Sequence, residues 1–173
     1  IVVFYPKDGV SRAQFLQMAT QNGKNTHVVA VEGNFDDCQR GVKQLFTDAA
    51  FEKEMTDQGE TLSSANSINW ARLMPQIGYY FSTYVDLVNE EKIAMGDPVN
   101  FVVPTGNFGD ILAGEFARLM GLPVGKLVCA SNSNDVLVDF FKKGEYDSRR
   151  PFYKTVSPSM DILVSSNLER LLF

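Results

Sequence analysis

Gly106-Asn107-Phe108-Gly109-Asp110 joins an apolar run, Phe101–Val103, to a segment rich in small residues. Paired glycines between a strand and a helix can hold an anion. Bare main-chain N–H groups and the positive end of a helix dipole, worth about half a unit charge, then face a phosphate with no side chain in the way. The same Gly-Asn-Phe triplet recurs at Gly33-Asn34-Phe35, but there Asp36 takes the place of the second glycine and Asp37 adds another negative charge. That first turn repels phosphate and is expected to be an ordinary, acid-capped connection. In the second turn, Gly106 and Gly109 admit positive φ angles and close backbone approach. Asp110 opens a competing reading, in which it caps a structural helix, and spacing alone supports the two equally. A dinucleotide fingerprint is excluded because G-x-G-x-x-G is absent, and a P-loop because no Gly-Lys-Ser/Thr follows.

Other reactive side chains point to no second chemistry. His27 is the sole histidine. Without another histidine or a close cysteine pair, neither a metal site nor a Ser-His-Asp triad is expected. Cys38 and Cys129 lie in or beside apolar segments and are expected as reduced thiols in a reducing, cytoplasmic compartment. Lys7 follows a strand and is expected to be a loop lysine. Net charge is −5, with basic residues scattered rather than striped, so a nucleic-acid partner is not expected. No apolar run approaches the roughly 20 residues that cross a bilayer, so no membrane partner is expected either.

The elements that must position the turn follow from periodicity. Near-continuous apolar runs at Ile1–Tyr5, His27–Val31, Val99–Val103 and Lys126–Ala130 predict strands buried on both faces. Between them lie helical patterns. One opens on a Ser11/Gln14 capping box, and others run over residues 36–51, Asp110–Met120 and Asn134–Lys143. Strand and helix alternate as in βαβ units, which predicts an α/β fold: an open, mostly parallel sheet with helices on both faces and right-handed crossovers. A polar stretch, Lys53–Asn66, leads into a long helix over Ile68, Leu73, Ile77, Phe81, Tyr84, Leu87 and Val88. Pro75 is expected to kink or break it, with Ser67–Met74 as a separate segment. The tail should end in a short helix capped near Ser165, Ser166 or Asn167.

Five stretches in one order carry a more specific signal: Val31–Gln39, Ser64–Phe81, Val103–Gly114, Ala130–Leu137 and Ser157–Phe173. Together they resemble threonine synthases of the bacterial and fungal type, from the first strand to the last residue. The resemblance implies the fold type II, tryptophan synthase β-like fold and pyridoxal phosphate as cofactor. It also implies conversion of O-phospho-L-homoserine and water to L-threonine and phosphate. By the same resemblance, the main chain of Gly106, Asn107, Phe108, Gly109 and Asp110 grips the cofactor phosphate.

The family's Schiff-base lysine and its carboxylate-binding stretch lie upstream of the matching region. Residues 1–173 are therefore expected to be one α/β domain, the central fragment of a longer enzyme, with no catalytic lysine of their own and no activity alone. Asn66, Ser67, Asn69 and Arg72 are weaker candidates for the substrate, since the Arg72 fork suits a carboxylate or phosphate. For Arg72 a solvated helix face is the slightly favoured reading. Ser131, Asn132, Asn134 and Asp135 follow the fourth strand, where a helix-capping role competes with a ligand role. Trp70 and Tyr79-Tyr80-Phe81 are expected to pack rather than stack on a ligand. Two rival functions stand beside this one: another fold type II lyase or threonine synthase-like protein, and a non-catalytic module that binds phosphate esters.

Overall fold

Among the described residues, strands pair in parallel. In this computed structural model, which describes residues 1–64 and 69–173, Val2–Pro6 (β1) runs beside His27–Val31 (β2), in register from Val2 against His27 to Pro6 against Val31. Val99–Pro104 (β3) runs beside Val124–Ala130 (β4). The described residues cluster into two compact units, Ile1–Ser63 and Ser64–Phe173, each with one strand pair. The α/β, parallel character expected from the βαβ rhythm is present, and the four strands form two separate pairs.

In the first unit, helix α1 (Arg12–Ala19) links the strands and opens on the expected box. The Ser11 hydroxyl accepts from the Gln14 N–H at 3.2 Å, and the Gln14 side chain accepts from the Ser11 N–H at 3.0 Å. The helix expected over residues 36–51 is instead two, α2 (Phe35–Thr47) and α3 (Ala49–Asp57). Asp48 separates them. Its backbone is extended and its carboxylate accepts from the N–H groups of Ala50 and Phe51 at 3.0 and 3.1 Å, starting a new helix in place of continuing the old one. The polar stretch from Lys53 is thus helical as far as Asp57.

The second unit holds the hydrophobic core. Helix α4 (Trp70–Asn89) buries Leu73, Tyr80 and Tyr84. Of the kink or break expected at Pro75, the break does not occur, because the helix runs through it. The ring removes one backbone donor close to the helix start, while Asn69 caps the end by accepting from Ala71 N–H at 2.9 Å and the apolar face downstream is held in the core. Helix α5 (Gly109–Leu119) connects β3 to β4 and packs on α4. A Cβ at Gly114 would lie 2.7 Å from the Tyr80 ring and 3.0 Å from Leu127, so the approach of the two helices requires glycine there. Tyr80 also meets Phe101 of β3 edge-on, with ring centroids 4.9 Å apart.

β4 starts at Val124, earlier than expected. Its ladder shifts between Val99–Val124 and Phe101–Leu127, where the Asn100 side chain accepts from the Lys126 N–H at 2.7 Å. A Cβ at Gly125 would sit 2.5 Å from that same Asn100 oxygen, so glycine makes the bulge possible. Helix α6 (Val136–Lys143), a 3₁₀ turn at Pro158–Met160 and the short α7 (Glu169–Leu172) complete the unit. The last helix begins after Leu168 with no side-chain cap, so the cap expected at Ser165, Ser166 or Asn167 is not formed. Among the described residues, no helix is long and apolar enough to cross a membrane.

Candidate functional site

β3 delivers the chain to the Gly106–Asp110 turn at the carboxyl end of its pair. Thr105 extends the ladder one step past Pro104, donating its N–H to the Ala130 carbonyl at 2.8 Å, and its hydroxyl bonds back to the Val103 carbonyl at 2.7 Å. The positive φ expected at the glycines falls instead on Phe108, at φ 65° and ψ 8°, and neither Gly106 nor Gly109 adopts it. A left-handed non-glycine residue costs about 1–2 kcal/mol, and burying the Phe108 ring, 4% exposed, offsets that by a similar or larger amount. The glycines serve space. A Cβ at Gly106 would meet Ile162 Cδ1 at 3.0 Å and Met160 Cε at 3.3 Å, and one at Gly109 would meet Asn107 Oδ1 at 3.1 Å and Asn167 Nδ2 at 3.3 Å.

The hydrogen bonds of the turn are strongly one-sided. Its carbonyls are engaged: the Ser165 hydroxyl donates to Gly106 O at 2.6 Å, while the Asn167 N–H and Nδ2 donate to Asn107 O at 3.0 and 3.2 Å. Of its donors, Gly109 N–H is taken by Asn107 Oδ1 at 2.9 Å. Among the described residues, the N–H groups of Gly106, Asn107, Phe108, Asp110 and Ile111 donate to no protein group. The first Gly-Asn-Phe turn is the opposite case. There the Asp37 carboxylate accepts from Asn34 N–H at 2.8 Å and Asn34 Oδ1 accepts from Asp37 N–H at 3.0 Å, so an acid of the chain itself occupies the place an anion would take.

Asp110, the second residue of α5, makes no side-chain cap; the N-cap position belongs to Phe108. The Tyr80 hydroxyl donates to the Asp110 carbonyl at 2.8 Å and also reaches Oδ1 at 3.4 Å. Burial raises the Asp110 carboxyl above its ordinary value, and the Tyr80 hydrogen bond partly opposes this. Burial, with the nearby Asp110 charge, pushes the Tyr80 phenol far above its ordinary range. Tyr80 therefore stays a donor at all ordinary pH values and pins the first turn of α5.

The remaining candidates separate by role. Asn66 and Ser67 lie outside the described residues. Asn69 is engaged as the α4 cap and also donates to the Ser64 carbonyl. Arg72 is exposed on α4. One helical turn further, Gln76 Oε1 lies 3.6 Å from the Cβ position of Gly109, so α4 presents Gln76 to the turn. Sequence reasoning missed Gln76, although its i+4 spacing from Arg72 was a usable signal.

The Ser131–Asp135 stretch is a structural knot. Asn132 Nδ2 donates to Thr155 Oγ1 and Asp161 Oδ1 at 3.0 and 2.7 Å, and Asn134 Nδ2 donates to the Tyr153 carbonyl at 2.8 Å. Asp135 holds the N-cap position of α6, but its carboxylate makes no cap bond and pairs with Arg150 at 3.0 Å. Trp70 meets Phe116 edge-on at 5.4 Å, and Lys7 pairs with Glu32 at 3.4 Å. Both cysteines are free thiols, and burial raises the pKa of each. On the α5–β4–α6 side, a cavity of about 410 Å³ is lined mainly by apolar groups, Phe108, Ile111, Leu127 and Phe141 among them. Its lining suits hydrocarbon rather than phosphate.

No family model matches the chain. It is 51% identical over 172 residues to threonine synthase-like 1 of Homo sapiens, covering 98% of this chain and 23% of that protein. Against threonine synthase of Pseudomonas aeruginosa, identity is 50% over 173 residues, covering 100% of this chain and 34% of that protein. The crystal structure of PLP-bound threonine synthase from Brucella melitensis superimposes with a TM-score of 0.80 at 47% identity, over 100% of this chain and 35% of that one. The chain thus spans about a third or less of the length of the relatives it matches.

Proposed function

Because this chain is homologous along its whole length to one region of threonine synthases and threonine synthase-like proteins, we propose that it is part of a pyridoxal-phosphate-dependent lyase. Its Gly106–Asp110 turn would hold the cofactor phosphate. Residues 1–173 contribute to one α/β cofactor domain of the longer protein, in a cytoplasmic setting that keeps Cys38 and Cys129 reduced. The observation that carries the reading is the one-sided turn: its carbonyls are bound by the protein, and the main-chain donors of Gly106, Asn107, Phe108 and Asp110 meet no protein acceptor among the described residues. A phosphate dianion fits such a donor set, with the start of α5 adding its dipole.

When bound, pyridoxal phosphate would supply an electron sink for the electron pair left on carbon when a base removes a proton from the amino-acid substrate. The residues of this chain hold and orient. The turn anchors one end of the cofactor, Tyr80 fixes the α5 terminus, and Gln76 borders the turn from α4. The reaction we assign to the whole protein is conversion of O-phospho-L-homoserine and water to L-threonine and phosphate. Asn66, Ser67, Asn69 and Arg72 remain our candidates for the substrate side, with Asn69 acting through its capping of α4. By the family resemblance the Schiff-base lysine belongs to a different stretch of the protein, and we expect residues 1–173 to be inactive alone.

A second reading keeps the fold and cofactor but changes the substrate, and 51% identity to a threonine synthase-like protein supports it. The intact protein distinguishes these outcomes. A visible-range cofactor band with phosphate release from O-phospho-L-homoserine supports threonine synthase. The band without phosphate release supports the altered substrate. Binding of simple phosphate esters with no band at all leaves a non-catalytic module.

A further inference from the structure

We propose that Ser165 and Asn167 are positioning residues for the anion-binding turn, setting the direction of its donors from a segment about sixty residues away in sequence. The proposal rests on the assignment of Gly106–Asp110 as a phosphate site. In a trans peptide, the carbonyl and the following N–H lie in one plane and point in opposite directions, and the described residues have no cis bonds. Fixing Gly106 O therefore fixes the direction of Asn107 N–H, and fixing Asn107 O fixes that of Phe108 N–H.

The tail fixes both. The Ser165 hydroxyl holds Gly106 O at 2.6 Å, and the Asn167 main chain and side chain hold Asn107 O at 3.0 and 3.2 Å. Asn107 and Phe108 N–H are thereby turned away from the tail and left without a protein acceptor among the described residues. The clamp is itself braced. Asn167 is completely buried, and its side-chain oxygen accepts from Arg170. Ser165, 5% exposed, donates its N–H to the Tyr146 hydroxyl at 2.6 Å, and that hydroxyl donates to the Leu163 carbonyl at 2.9 Å.

These bonds do more than hold a tail in place. Without them either peptide plane could rotate and present a carbonyl to the phosphate, replacing attraction with repulsion. Preorganised donors are what make such a site effective, since no reorganisation is needed when the anion arrives.

The test compares pyridoxal phosphate with pyridoxal, which lacks the phosphate, on the intact protein. Ser165→Ala removes the bond to Gly106 O and keeps the backbone bond to Tyr146. Affinity for pyridoxal phosphate should fall roughly tenfold, about the worth of one charge-assisted hydrogen bond, while affinity for pyridoxal is unchanged. The ³¹P resonance of the bound ester should shift. Tyr146→Phe, which removes only the brace, should give a smaller change in the same ratio and carries the test if Ser165→Ala does not fold.

An equal fall for both ligands would mean a merely structural role and overturn the proposal, as would an unchanged ratio with an unchanged ³¹P resonance. If the wild-type protein already binds the two ligands equally, the phosphate assignment itself fails and the proposal falls with it. The wild-type measurement thus separates the two failures.

Discussion

Asp110 is the one charged side chain set at the start of α5, and its charge opposes the anion the turn is built to accept. The native fold holds its proton above the ordinary value of 3.8 because burial disfavours the carboxylate. The stabilisation this lends is complete below the unfolded pKa and is lost as pH climbs through the folded one. Asp110→Asn should therefore raise the thermal midpoint at neutral pH and leave it unchanged near pH 3. The same substitution should tighten binding of inorganic phosphate several-fold, since a like charge a few ångströms away costs on the order of 1 kcal/mol in a solvated setting. Titration calorimetry on the intact protein checks this, and weaker phosphate binding would contradict the assigned position of the anion. Tyr80→Phe removes a buried hydroxyl that donates to the Asp110 carbonyl at 2.8 Å. Its expected cost is about 1 kcal/mol in denaturant unfolding.

At the level of elements, contacts decide what periodicity leaves open. Gly114→Ala should destabilise by about 1–3 kcal/mol, because the new methyl would lie 2.7 Å from Tyr80, a ring wedged between α4 and β3. A fall in thermal midpoint checks it, and a neutral outcome would mean that the two helices can separate freely. Strand positions, the α1 capping box and the spans of α5 and α6 were legible in the sequence, because each is set by local chemistry: apolar runs, a cap, a glycine turn. The expected burial of the strands on both faces is not observed, since most residues of β1–β4 are exposed or half-buried. Pro75 misled because propensity counts the lost backbone bond and not the buried face of Leu73, Tyr80 and Tyr84 that holds α4 together. Asp48 was legible in principle as a cap, yet the apolar spacing across it suggested one helix where there are two. Within the turn, the residue types were readable and the conformation was not. Phe108 takes the left-handed angle, while the glycines make room for Ile162, Met160 and Asn167, partners that lie fifty and more residues later. No local pattern can announce such neighbours, and for that reason the sequence alone points to Ser165, Ser166 or Asn167 as a helix cap rather than to Ser165 and Asn167 as partners of the turn.

For the molecule as a whole, the core and the candidate site belong to the same unit. The buried cluster of Leu73, Tyr80, Val103, Ile111, Leu112 and Leu137 lies within Ser64–Phe173, whereas Ile1–Ser63 buries little beyond Pro6 and Cys38. Local stability follows buried apolar contact. Hydrogen exchange on this chain should show slow amides in α5, β3 and β4 and markedly faster exchange in β1, β2 and α1. Equal protection across both units would contradict the assignment of the core.

The bulge at Asn100 has a consequence for how β3 and β4 find each other. In a parallel pair with no irregularity, sliding by one residue exchanges every inward side chain for an outward one, and little in two apolar runs forbids the slip. Asn100 and Gly125 act as a key and its slot: the amide fits opposite one backbone position of β4 and no other. Replacing Asn100 with valine would erase that index mark, and the pair would zip out of phase in a share of molecules. These misaligned chains would carry Thr105 and the turn after it on the wrong side, and they would emerge as a slow refolding fraction unable to take up phosphate.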